Sequence, residues 1–179
     1  MKGFFPLASG SKGNTLYLGT EKTKLLIDAG ISVKKIEMRL QQYGIALSDI
    51  EGIIVTHEHH DHIASLRTLN QKWSIPIFCN RETAKGIYHQ LKFVPKCKIF
   101  TTAETFSYKN IDVHPFTIPH DTLDPVALRI ETEGTAIGVC TDLGFVSSVV
   151  KKKLSGCQLL YLEANHDPDM VAASKRPAN

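Results

Sequence analysis

Apolar runs of strand length, cut by glycine and short polar turns, set the rhythm of the first part of the chain. Gly3 to Ala8 is followed by the loop Ser9-Gly10-Ser11-Lys12-Gly13-Asn14 and by Thr15 to Gly19, with aromatic and β-branched members, so the pattern predicts a hairpin. Lys24-Leu25-Leu26-Ile27 is a continuous apolar run that stops at Asp28-Ala29-Gly30 and delivers Asp28 to a strand end. From Ser32 to Tyr43 the residues Val33, Ile36 and Leu40 recur at helical spacing, with Ser32 placed to cap the start and Gly44 the end. Gly52 to Thr56 reads as a buried strand. It runs into His57-Glu58-His59-His60-Asp61-His62 and then into a helical pattern of Ile63, Leu66, Leu69 and Trp73.

Further along, Ile75 to Cys79 predicts a strand, and Asn80 a cap for a helix from Glu82 to about Leu91. Strands are expected at Ile111 to Phe116, Val126 to Glu131 and Thr135 to Thr141, the last two joined by the turn Thr132-Glu133-Gly134. A helix from Ser147 to Leu154 ends at Gly156, and Leu159 to Leu162 forms one more strand. Hairpins come first and strands then alternate with helices, which places the chain in the α/β class, with sheets covered by helices on their outer faces.

Composition narrows this further. The 179 residues, 42% apolar and 22% charged, fit a single globular domain over 1–179 and exclude collagen-like or disordered sequence. A domain of this length buries roughly 70% of its unfolded surface, so a metal would serve chemistry before folding. The formal charge of +3 is too slight to imply a nucleic-acid partner by itself. The 4 cysteines include no CxxC pair, no secretory signal accompanies them, and no stretch approaches the roughly 18 apolar residues of a membrane span. Reduced thiols, a cytoplasmic location and no membrane partner are the expectations.

Metal binding needs neutral imidazoles and carboxylates that converge, and a tight loop after a buried strand can aim neighbouring side chains at one point. His57, His59, Asp61 and His62 fit that need, and a chance HxHxDH has a probability of only about one in a thousand for this composition. His120, in Thr117-Ile118-Pro119-His120-Asp121, and Asp142, in Thr141-Asp142-Leu143-Gly144, also stand after strands. Alone they would read as a loop residue and a helix cap; beside HxHxDH they read as ligands.

Asp28, Thr56-His57-x-His59-x-Asp61-His62, His120 and Asp142, in that order, resemble the metallo-β-lactamase superfamily. The resemblance implies an αββα sandwich of two mixed sheets with helices outside and a site for two divalent ions, zinc or manganese, at one edge. Ala8 to Asn14 and Leu162-Glu163-Ala164-Asn165-His166-Asp167 resemble more specifically the YycJ/WalJ-type metallo-hydrolases, which are nuclease-like with 5'-to-3' exonuclease activity on DNA. Carried over, the resemblance places His57, His59 and His120 on one metal and Asp61 and His62 on the second. Asp142 bridges them, and a hydroxide generated there is the nucleophile. Asp28 either braces the ligand loop or bonds nearby backbone. Asp61 and His166 are the catalytic candidates, His166 as proton donor or phosphate contact, or otherwise as a helix cap.

The resemblance also implies a further histidine on the second metal, together with a last strand and helix, beyond the segment matched here. The expectation is therefore an incomplete second metal site, in a fragment, a truncated product or a module completed by a partner in a homo-oligomer. Ser9, Ser11 and Asn14, with Lys12, are candidate phosphate contacts, though a tight hairpin explains Gly10 and Gly13 without a ligand. His60, His89 and His114 are expected to lie outside the site. The leading reading is a metal-dependent phosphodiesterase acting on DNA. A hydrolase of a small thioester, lactone or cyclic phosphodiester, and a non-catalytic metal-binding module, are the alternatives.

Overall fold

The structure is a computed structural model and describes residues 1–163. Strands β1 (Gly3–Ala8), β2 (Thr15–Gly19) and β3 (Lys24–Ile27) form an antiparallel meander. Strands β4 (Gly52–Ile54), β5 (Ile77–Cys79) and β6 (Cys97–Ile99) then add in parallel, completing a six-stranded sheet in sequence order. A second sheet has the order β11-β10-β9-β8-β7, built from β7 (Phe106–Tyr108), β8 (Ile111–Thr117), β9 (Val126–Thr132), β10 (Thr135–Cys140) and β11 (Leu159–Leu162). Its strands are antiparallel except for the parallel pair β10 and β11.

The period of two along the strands divides the core. In β2, Leu16 and Leu18 face the second sheet while Tyr17 faces the helices; in β3, Leu25 and Ile27 part from Leu26 in the same way. Both faces are buried, which is why these strands read as unbroken apolar runs. Between the sheets those residues meet Val126, Leu128, Ile130, Ile137 and Val139. The helices α1 (Val33–Gln41), α3 (Leu66–Lys72) and α4 (Arg81–Leu91) cover the outer face of the first sheet, and α5 (Ser148–Leu154) covers part of the second. Ser32, Asn80 and Ser147 cap α1, α4 and α5 through their side chains. The edge strand β11 leaves Leu159, Leu160 and Leu162 about half exposed.

In secondary structure, the chain departs from the sequence reading at the helix after the histidine loop and at two short strands. The helix expected through Ile63 to Trp73 is split into α2 (His60–Ile63) and α3. Ser65 turns its N–H to the Ala29 carbonyl at 2.9 Å and its hydroxyl to the Ile31 carbonyl, and these tertiary bonds break the helix between the two segments. Strands β6 and β7, three residues each, are too short to show periodicity, with Cys97, Phe106 and Tyr108 half-buried against the cores and Lys98, Ile99 and Ser107 exposed. Leu128 lies at the centre of the core between the sheets. Leu128→Ala should cost about 2–5 kcal/mol in urea denaturation, and a loss below about 1 kcal/mol would mean that this layer is not a close-packed core.

Candidate metal centre

The carboxyl ends of β3, β4, β8 and β10 reach the same edge of the sandwich. There the Val126 N–H donates to the Thr56 carbonyl at 3.1 Å and joins the two sheets. Two of the strand-end carboxylates stand on strained backbone, Asp28 with φ 59° and Asp142 with φ 49°, left-handed conformations that non-glycine residues seldom adopt.

Asp28 is buried and accepts three donors. Its Oδ1 takes the Thr56 N–H at 2.8 Å; its Oδ2 takes the Thr56 hydroxyl at 2.8 Å and stands 2.8 Å from His62 Nδ1. A carboxylate only accepts, so the Thr56 hydroxyl proton is committed to Asp28 and its oxygen is free to accept from His57 Nδ1, 3.0 Å away. Nδ1 then carries the proton, and His57 Nε2, buried with no hydrogen-bond partner among the described residues, presents a lone pair to the cluster. Asp28 thus orients two imidazoles, one directly and one through Thr56. Sequence reasoning passed over Thr56, whose place in the phrase before His57 was its only trace.

Four imidazoles converge beyond this brace. His59 and His120 rings lie 5.0 and 4.7 Å from His57, His62 lies 4.0 Å from it, and His120 Nε2 stands 3.0 Å from His59 Nδ1. Donor atoms of His57, His59 and His120 fall within 4.8 Å of one another, as do those of His57, His62 and Asp142. Burial, together with the neighbouring charges on His62, His120 and His59, pushes the His57 pKa far down, so this imidazole stays neutral. Burial also holds His120 down, with Asp142 opposing. Burial pushes His62 down, but Asp28 and Asp142, the latter 2.8 Å from Nε2, outweigh it and raise the pKa to about 10. Asp142 is raised by burial yet held lower by the same His62 contact and by the His120 and His59 charges.

The partnerless Nε2 of neutral His57, converging with the His59, His120 and His62 imidazoles and the Asp142 carboxylate, is the kind of donor set that zinc or manganese takes, so the residues present fit a metal. The structure brings His57, His59, His120, His62 and Asp142 together. Asp61 sits at the rim, its Oδ2 3.9 Å from His62 Nε2, and joins neither group of three. His60 and His89 are exposed, and His114 lies in β8 beside Thr105.

The loop before β2 is stitched to this centre. The Asn14 N–H donates to the Asp61 carbonyl at 2.7 Å and the Gly30 N–H to the Asn14 carbonyl at 2.8 Å, an approach so close that a Cβ on Gly30 would lie 1.5 Å from the Asp61 oxygen. Asn14 differs from the expectation of a phosphate contact. Its side chain is buried, with Oδ1 accepting from the Gly10 N–H and Nδ2 3.0 Å from His62 Nε2. Ser9 and Ser11 remain exposed, and Ser9 Oγ accepts from the Tyr161 hydroxyl at 2.6 Å. His166 lies outside the described residues.

Residues 23–175 match the Beta-lactamase superfamily domain. The chain belongs to the metallo-β-lactamase superfamily. Within it, the chain is 35% identical over 176 residues to exodeoxyribonuclease YycJ of Bacillus anthracis, covering 97% of this chain and 67% of that protein. It is 34% identical over 170 residues to exodeoxyribonuclease WalJ of Streptococcus pneumoniae serotype 2, covering 92% of this chain and 63% of that protein. The chain therefore spans about two thirds of the length of these relatives. Among solved structures, zinc-bound PqqB from Methylobacterium extorquens superposes with a TM-score of 0.69 at 18% identity over 89% of this chain and 63% of that one. A B3 metallo-β-lactamase with an active-site glutamic acid gives a TM-score of 0.69 at 14% identity over 90% and 76%. These two support the fold. No helix among the described residues is long and apolar enough to cross a membrane.

Thr56→Val keeps the shape of the side chain but removes the hydroxyl between Asp28 and His57. It should lower stability in urea by about 1–3 kcal/mol, whereas Thr56→Ser should stay close to the parent; equal stability of all three would show that the hydroxyl holds nothing.

Proposed function

We propose that the chain is a metal-dependent phosphodiesterase that cleaves DNA as a 5'-to-3' exonuclease. The observation that carries this reading is the convergence of His57, His59, His120, His62 and Asp142 at the joined strand ends. The naming of its relatives YycJ and WalJ as exodeoxyribonucleases supports it.

His57, His59 and His120 would hold one ion, and His62 and Asp142, with Asp61 at the rim, a second. Divalent ions held there supply Lewis acidity, lowering the pKa of a water and offsetting the charge that develops on phosphate oxygens. The protein's own part is orientation. Asp28 and Thr56 fix the rings of His62 and His57, and the stitched backbone of Asn14, Gly30 and Asp61 fixes the loop between them. Because the Tyr161 hydroxyl occupies the acceptor side of Ser9, the Ser9 proton is free to meet a phosphate oxygen, with exposed Lys12 adding positive charge nearby. His166 is the candidate proton donor to the leaving group.

His59→Ala and Asp61→Ala should each abolish zinc- or manganese-dependent shortening of end-labelled DNA, followed on denaturing gels. Cleavage at the parent rate by both variants would refute the reading.

A further inference from the structure

We propose that Glu58 is a positioning residue for this centre: its carboxylate tethers the loop that carries His120 to the histidine loop and so sets where the third imidazole stands. The inference rests on the reading of His57, His59 and His120 as a metal site. Glu58 lies between His57 and His59, is only 6% exposed, and packs its side chain against Gly86 of α4. Its Oε1 accepts the N–H of Leu123, three residues beyond His120, at 2.9 Å. A charge-assisted bond from a carboxylate to a backbone N–H is about twice as strong as a neutral one.

The surroundings are shaped for it. Helix α4 places Gly86 against this side chain, where a Cβ would lie 2.4 Å from Glu58 Cγ. Glu58 Oε2 is buried with no hydrogen-bond partner among the described residues, a desolvation cost that an apolar space-filling residue would not carry. The far end of the same loop is fixed independently. Asn80 Nδ2 donates to the Asp124 carbonyl at 2.8 Å, and the Thr102 hydroxyl donates to Asp124 Oδ2 at 2.7 Å. His57 and His59 belong to the first sheet's loop and His120 to the second sheet's, so their separation depends on how these two loops are joined. The Glu58–Leu123 bond joins them directly, and groups that orient metal ligands contribute to metal affinity although they do not touch the ion.

The test is zinc binding to the metal-free 179-residue chain, titrated in competition with a chromophoric chelator, with circular dichroism confirming the fold of each variant. E58A should bind zinc at least about ten-fold more weakly, while E58Q, whose amide oxygen can still accept from Leu123, should stay within about threefold of the parent. If Glu58 acts through His120, E58A/H120A should bind no more weakly than H120A. Parent-like affinity in E58A, E58Q as weak as E58A, or a full extra penalty in the H120A background would each overturn the proposal. Should E58A fail to fold, E58D, which keeps the charge but withdraws the acceptor, decides in the same way: weakened binding supports the tether and parent-like binding overturns it. A parent chain that takes up no zinc would overturn the metal-centre reading as well, whereas a zinc-binding parent with an unaffected E58A would overturn this proposal alone.

Discussion

The Asp28 carboxylate organises this edge of the molecule. One buried acidic group at the end of β3 accepts from a backbone N–H, a hydroxyl and an imidazole, and these bonds fix the start of the histidine loop, Thr56 and His62. Burying a carboxylate is costly unless its oxygens are hydrogen-bonded, and Asp28 offsets that cost with groups that themselves need orienting. The consequence runs outward: Thr56 fixes the proton on His57, and the opposite ring nitrogens of His57 and His62 are left facing the cluster. The left-handed backbone at Asp28 is what turns its side chain into that position, a strain the surrounding bonds offset.

The sandwich explains why such a centre stands at its edge. The first sheet brings Asp28 and the His57–His62 loop; the second brings His120 and Asp142. The converging imidazoles and carboxylate come from both halves, so the cluster exists only while the core between the sheets keeps their strand ends together. A cation bound across both halves would in turn favour the folded state, since ligands that bind only the native form stabilise it by mass action. Chemistry and sheet packing are therefore linked through the same few residues, and the Val126–Thr56 backbone bond sits where they meet.

Much of this was legible in the chain. The apolar runs of β2 to β4 and the caps Ser32 and Asn80 appear where the sequence places them, because burial on both faces and local side-chain bonds leave marks within a few residues. The superfamily too was legible, since HxHxDH followed by His120 and Asp142 after strands resembles its motif order. What the sequence could not show depends on contacts between distant segments. The break between α2 and α3 comes from bonds to Ala29 and Ile31, and the inward turn of Asn14 comes from a loop packed on Asp61. Thr56 reads as one more β-branched strand residue until Asp28 and His57 are brought to its hydroxyl. Glu58 reads as a variable place inside a motif until the loop after β8 folds over it.

The most direct measurement is of proton position on the imidazoles, by long-range 1H–15N correlation spectra of the 15N-histidine-labelled chain, with His57 assigned by substitution. If Asp28 orients the centre through Thr56, neutral His57 carries its proton on Nδ1. A spectrum in which His57 is the Nε2–H tautomer would mean that the Thr56 hydroxyl does not receive from it, and would contradict the role given to Asp28.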